Sequence, residues 1–332
     1  MPPTPPPITT ILALVGNSCA LIIQLYPFSV APSSNGFSDL LNQVKRLQVR
    51  DSVTELSGGL TNRNLKISTP GGDYVARISS NKSALLSIDR NAEYENSKIA
   101  AAIGIGAAVY EFLPEFGLLV IGYLPGKTYT ADDVAGNISR IAQSVKQLHN
   151  AKPFVSDFDM FIIQQRYLKI VTERGFKMPD NYLTYTDQLL QMKRAFSVLD
   201  EGKVPCNNDL LAANFIDDGK KIWIIDYEYS GNNDACFELG NIYSESNLSY
   251  DQLIELVDAY YGKHRPEKIA RAWLFALLAR YGWSLWASIQ SSVSDLDFDF
   301  WDWGMQKYEV AVRDFKSVEF KDALQAVTTK GN

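Results

Sequence analysis

Residues 205–231 read PCNNDLLAANFIDDGKKIWIIDYEYSG, with Asp209 five positions before Asn214 and with Asp226 and Glu228 closing an apolar run. In a loop before a short strand, an Asp and an Asn at that spacing can point into one site. FIDDGKKIWIID reads as a hairpin turning at Asp218-Gly219, and it returns Asp226 beside them. Three oxygen-bearing side chains then converge. A hard cation such as Mg²⁺ takes oxygen ligands, usually one or two protein groups plus substrate phosphates, which makes Asn214 and Asp226 metal-ligand candidates. Asp209, not needed by the metal, can orient a hydroxyl nucleophile. A catalytic-loop Asp, an Asn five residues on and a metal-binding Asp after the next strands is the layout of phosphoryl transfer. Taken alone, the Asp-x4-Asn spacing equally suits an Asn/Asp-rich turn.

Upstream features place that triplet in a larger pattern. SGGLTN, residues 57–62, lies between two strands, and its glycines would let backbone N–H groups approach phosphates. Ser57, Gly58, Gly59, Thr61 and Asn62 are therefore candidate nucleotide-binding residues. Arg77, in the strand YVARIS, stands where a phosphate-pairing cation is needed, and Glu93 on the following helix can hold it as an ion pair, with Glu95 competing. Glycine turn, basic strand residue, helix acid, two-strand hinge, Asp-x4-Asn and Asp follow one another in the order that a two-lobed phosphotransferase using ATP and Mg²⁺ requires. No D-F-G and no A-P-E follows Asp226, unlike protein kinases.

The runs LSGGLTN, YVARI and NNDLLAANF…IIDYEYSGNNDACFELGN resemble the choline/ethanolamine kinases, particularly their bacterial relatives, within the wider aminoglycoside phosphotransferase group. The resemblance spans roughly residues 40–315. It implies Asp209 as catalytic base, Asn214 and Asp226 as Mg²⁺ ligands, Glu228 as a supporting acid at the metal, and Arg77 with Glu93 as the ATP-phosphate pair. Glu238 of FELGN matches an acid near the active site. The family usually reads His-Asn-Asp where this chain has Asn207-Asn208-Asp209. A catalytically weakened relative that only binds an amine is one alternative to a working enzyme; another small-molecule kinase of the same group is a second.

Five of the six tryptophans follow residue 270. Trp283 and Trp286 are three apart on a helical pattern, and Trp301, Trp303 and Tyr308 come soon after. Ring faces hold a quaternary ammonium, which has no N–H to donate, and a nearby carboxylate balances its charge. In the resembling kinases such a cage comes from this region and the acid from the position of Glu245. Trp283, Trp286, Trp301 and Tyr308 with Glu245 are thus the expected amine site, with choline favoured over ethanolamine and both over an aminoglycoside. The same rings could instead pack a helical core.

Positioning these groups takes an α+β, bilobal protein-kinase-like fold: a small β-rich N-lobe at 37–124 and a large, mainly helical C-lobe at 125–332. Short strands between Asp51 and Ser79 turn at Pro70-Gly71-Gly72; a helix follows at 89–103, then two strands about Leu113–Phe116. Helical spacing recurs at 137–150, 157–173, 184–201, 235–247, 250–262, 266–292 and 302–316. The formal charge of −6 and the lack of a basic block exclude sequence-independent nucleic-acid binding. Cys19, Cys206 and Cys236 match neither a disulfide framework nor metal spacing and read as reduced thiols in a cytoplasmic protein. His149 and His264 are too few for a histidine-rich metal site and read as packing or surface residues. Residues 1–36 form an extension whose stretch ITTILALVGNSCALIIQL, 8–25, suits a short membrane anchor with the catalytic part in the cytoplasm, an apolar segment packed on the body, or a piece with no role.

Overall fold

The computed structural model describes residues 34–56, 59–79 and 85–329. A helix, α1 (Ser34–Asn42), precedes the strands β1 (Ser52–Leu56), β2 (Asn62–Thr69) and β3 (Gly72–Ser79). Gly72 turns the β2–β3 hairpin at φ +126°, a conformation side-chain-bearing residues avoid. Helix α2 (Arg90–Ala102) follows, its N-terminus capped by the Asp89 carboxylate, and β4 (Val109–Leu113) and β5 (Leu118–Gly122) complete one antiparallel sheet in the order β1-β2-β3-β5-β4. Strand alternation gives this sheet two faces. Leu65, Ile67, Tyr74, Ala76, Leu118 and Val120 pack beneath Leu41, Val44 and Leu47. Arg77, paired with Leu119 in the ladder, belongs to the opposite face.

The remainder is mainly helical: β6 (Lys127–Thr128), α3 (Ala131–Gly136), α4 (Ile138–His149), α5 (Met160–Arg174), α6 (Thr186–Phe196), β7 (Val204–Cys206), β8 (Phe215–Asp217), β9 (Ile222–Ile224), β10 (Gly231–Asn233), α7 (Ala235–Glu245), α8 (Tyr250–Tyr261), α9 (Pro266–Val293), α10 (Phe300–Phe315) and α11 (Val318–Ala326). The two-lobed α+β architecture is the one the sequence implies. Helix α9 is buried on nearly every side and is the axis of the larger core, against which α5, α7, α10 and α11 pack. Close approach needs small residues: a Cβ at Gly240 would overlap the Ala272 carbonyl, and one at Gly304 would overlap Ala287. Each fully buried Leu or Phe in this core contributes about 1.5–3 kcal/mol.

Two differences from the sequence reading are local. Helix α1 begins at Ser34, three residues ahead of the N-lobe start expected at 37. The short α3 and α11 carry their start signals in single caps, Thr130 and Ser317. Cys206 and Cys236 are buried free thiols. The apolar stretch 8–25 and Cys19 lie outside the described residues; within them, no helix is long and apolar enough to cross a membrane.

Candidate active site

Strand pairing brings the acid-bearing segments together. Strand β7 pairs antiparallel with β10, Cys206 opposite Gly231, so residues 207–209 run beside 226–231. Phe215 pairs with Ile224 in the β8–β9 hairpin, and one step further the Ile225 N–H donates to the Asn214 carbonyl at 3.0 Å. Asn214 also donates its side-chain amide to the Asp209 carbonyl at 2.8 Å. Asp209, Asn214 and Asp226 are therefore joined through two hydrogen bonds and one peptide step.

The loop is held from beneath by buried polar groups. Glu238, fully buried in the first turn of α7, accepts the backbone N–H groups of Asn207 (2.9 Å) and Asn208 (2.7 Å). Asn208 sits at φ +68° and donates to the carbonyls of Cys206, Tyr229 and Gly231. Asn207 donates to the carbonyls of Ile225 (3.1 Å) and Asp226 (2.8 Å) and accepts the Asp209 N–H at 3.1 Å. Asp226 itself is left-handed, at φ +63°, a strained conformation of the kind that gathers at functional sites.

Above this loop lies a cleft. Arg77 and Glu93 line it with Ala107, Leu119 and Ile121 from the N-terminal part and Ile225, Asp226 and Tyr227 from the hairpin side. Arg77 Nη2 contacts Glu93 Oε1 at 3.2 Å and Asp226 Oδ1 at 2.5 Å. Glu95, the competing acid, pairs with exposed Lys98 instead. Asn214 Oδ1 and Asp226 Oδ2 have no hydrogen-bond partner among the described residues. Both are hard oxygens, so this pair fits a Mg²⁺ ion. Glu228 is differently engaged: Thr61 donates to Oε1 (2.7 Å), and Asn62 (2.8 Å) and Arg90 (3.2 Å) to Oε2. The sequence places Glu228 among the metal ligands; in the structure it ties the start of β2 to the segment after Asp226. Of the glycine turn, Ser57 and Gly58 fall outside the described residues. Gly59 is packed so closely that a Cβ there would collide with the Asn62 carbonyl.

The Asp209 loop is tied to a second group of residues, Asn208 donating to the Tyr229 carbonyl at 3.1 Å. Burial raises the Asp209 carboxyl well above the usual aspartate range; Glu245, Glu228 and Asp226 raise it further, and Lys307 opposes them. Glu245 and Lys307 pair with each other at 2.7 Å. Tyr229 meets Trp283 edge to face at 5.1 Å and accepts the Trp286 indole N–H at 2.8 Å, while Trp286 meets Trp303 at 5.5 Å. Trp301 and Tyr308 are not brought to this group. Residues two apart on a helix lie about 200° apart, so Trp301 turns away from Trp303. Lys177 stands 3.7 Å over the Trp301 ring, and Tyr308 stacks on Tyr182 and donates to the Asp180 carbonyl. Tyr229, Lys307 and Arg90 have no place in the sequence-derived site, and Trp303 is named in the sequence reading without being assigned to it. The i, i+4 spacing of Trp303 and Lys307 was the one available signal for two of them.

A family model for choline/ethanolamine kinase matches residues 53–269. Protein LicA of Haemophilus influenzae is 25% identical over 271 residues, covering 77% of this chain and 78% of its own. Ethanolamine kinase 1 of Mus musculus is 26% identical over 275 residues, covering 70% and 75%. The crystal structure of a choline/ethanolamine kinase family protein from Mesorhizobium loti superposes with a TM-score of 0.78 at 26% identity, covering 89% of this chain and 99% of that one. With a kinase-like fold and a choline/ethanolamine kinase match over residues 53–269, the protein is a phosphotransferase acting on an alcohol. It belongs to the choline/ethanolamine kinase family.

Proposed function

We propose that this protein transfers the terminal phosphoryl group of ATP, as its Mg²⁺ complex, to the hydroxyl of a small amino alcohol, choline or ethanolamine. The observation that carries the reading is the joining of Asp209, Asn214 and Asp226, the last of which lines the cleft. Asp209 orients the alcohol and accepts its proton as the alcohol oxygen bonds to phosphorus and the bond to the ADP oxygen breaks. Asn214 and Asp226 would hold Mg²⁺, which when bound neutralises charge on the donor phosphates. Arg77, steadied by Glu93, pairs with those phosphates, and Gly59, Thr61 and Asn62 are the described turn residues assigned to them. Glu238 and Asn207 act indirectly, by fixing the loop that aims Asp209. Glu245 and the rings of Trp283, Trp286 and Trp303 receive the substrate's cationic head.

Lobes meeting at residues 123–127, and a reaction in the cytoplasm where ATP is supplied, complete the reading. ADP release measured with choline, ethanolamine and an aminoglycoside tests it. Turnover on an amino alcohol that is lost in Asp209→Ala supports it; tight amine binding without turnover would reduce the protein to a binding relative.

A further inference from the structure

Glu245 is the last residue of α7, where the helix dipole is negative and a carboxylate is disfavoured. Its side chain is only 4% exposed, and both of its oxygens lie 2.7 Å from the Lys307 ammonium. The same ammonium stands 4.3 Å from the centre of the Trp303 ring, one turn back on α10. Trp303 in turn abuts Trp286, which is anchored on Tyr229. A carboxylate and ring faces around a cation, linked through Tyr229 to Asn208, the residue before the candidate base, make the setting that the head group of an amino alcohol needs. In this structure the protein's own lysine fills it.

We propose that Lys307 is a tethered competitor of the substrate ammonium: it holds Glu245 and the Trp303 face in the free enzyme, and an amino alcohol displaces it from both. This deepens the functional reading above and rests on its premise that the substrate is a cationic alcohol; it names the residue that sets the affinity. The Lys307 side chain is 12% exposed and has a flexible aliphatic stem, so it can swing outward once its charge-assisted bonds to Glu245 are replaced. The opposing account makes Lys307 a strut that fixes Glu245 and stays in place. The two accounts give opposite signs.

Lys307→Ala and Lys307→Gln, compared with wild type, decide between them. In thermal denaturation titrated with methylammonium or tetramethylammonium chloride, against sodium chloride at equal ionic strength, the variants gain stability at cation concentrations that leave wild type unmoved. In steady-state kinetics the KM for the amino alcohol falls about ten-fold or more, while the KM for the nucleotide is unchanged. A higher amine KM without cation-dependent stabilisation overturns the proposal and makes Lys307 a strut. The cation titration needs no turnover, so a wild-type protein that phosphorylates neither amine counts against the substrate reading alone. Lys307→Gln, whose amide still donates to Glu245, carries the same comparison where Lys307→Ala leaves Glu245 buried and unpaired and the chain fails to fold.

Discussion

Asn207 donates its side-chain amide to the Asp226 carbonyl at 2.8 Å, which fastens the loop carrying Asp209 to the strand end carrying Asp226. Where the family usually has a histidine, this chain uses a neutral amide that also accepts the Asp209 N–H. The brace does not titrate.

Replacing Asn207 by Ala leaves two carbonyls and one backbone N–H without these bonds, each worth about 1–3 kcal/mol when buried. The expected result is a kcat lower by about ten-fold or more, together with a melting temperature lower by several degrees. An unchanged kcat would show that the position of Asp209 does not depend on this brace.

The rotation of α10 separates two tryptophans that sit side by side in the sequence. Trp303→Ala should raise the KM for the amino alcohol by about ten-fold, since a cation–π contact in a desolvated site is worth about 1–2 kcal/mol. Trp301→Ala, which removes the ring beneath the Lys177 ammonium, should leave that KM within about two-fold. Steady-state titration of the amine checks both, and equal effects would contradict the assigned faces.

Gly59→Ala would drive a Cβ into the Asn62 carbonyl and distort the turn at the start of β2. Its effect should fall on the nucleotide, with KM for ATP raised about ten-fold or more and the KM for the amine little changed. A selective loss on the amine side would place the turn elsewhere.

Burial, then Glu245, Glu228 and Asp226, raise the Asp209 carboxyl above its ordinary value. A base works deprotonated, so the acid limb of kcat/KM should lie above the aspartate range of about 4, with activity rising as pH passes through it. Lys307 lowers the same group, and removing it should move the limb further up. A limb near pH 4 in a profile of kcat/KM for the amine would contradict this placement of Asp209.

Local patterns were legible in the sequence. The hairpin that returns Asp226, the Arg77–Glu93 pair and most helices depend on short-range spacing, and the structure has them. What stayed hidden depends on tertiary packing. Lys307 meets Glu245 across 62 residues, and no periodicity within either helix announces the contact. Trp301 and Trp303 are equal in composition, and only the docking of α10 on α9 through Gly304 distinguishes them. Glu228 reads as one more acid in an acidic run until the turn into β2 supplies Thr61 and Asn62 to occupy its oxygens.

Transfer of labelled phosphate from ATP to choline and ethanolamine in a single turnover, by wild type and by Asp209→Asn, tests the central claim most directly. The account predicts transfer to one of these alcohols by wild type, and in the variant a loss of about a hundred-fold or more with nucleotide binding retained. Transfer by Asp209→Asn at a rate close to that of wild type would contradict it.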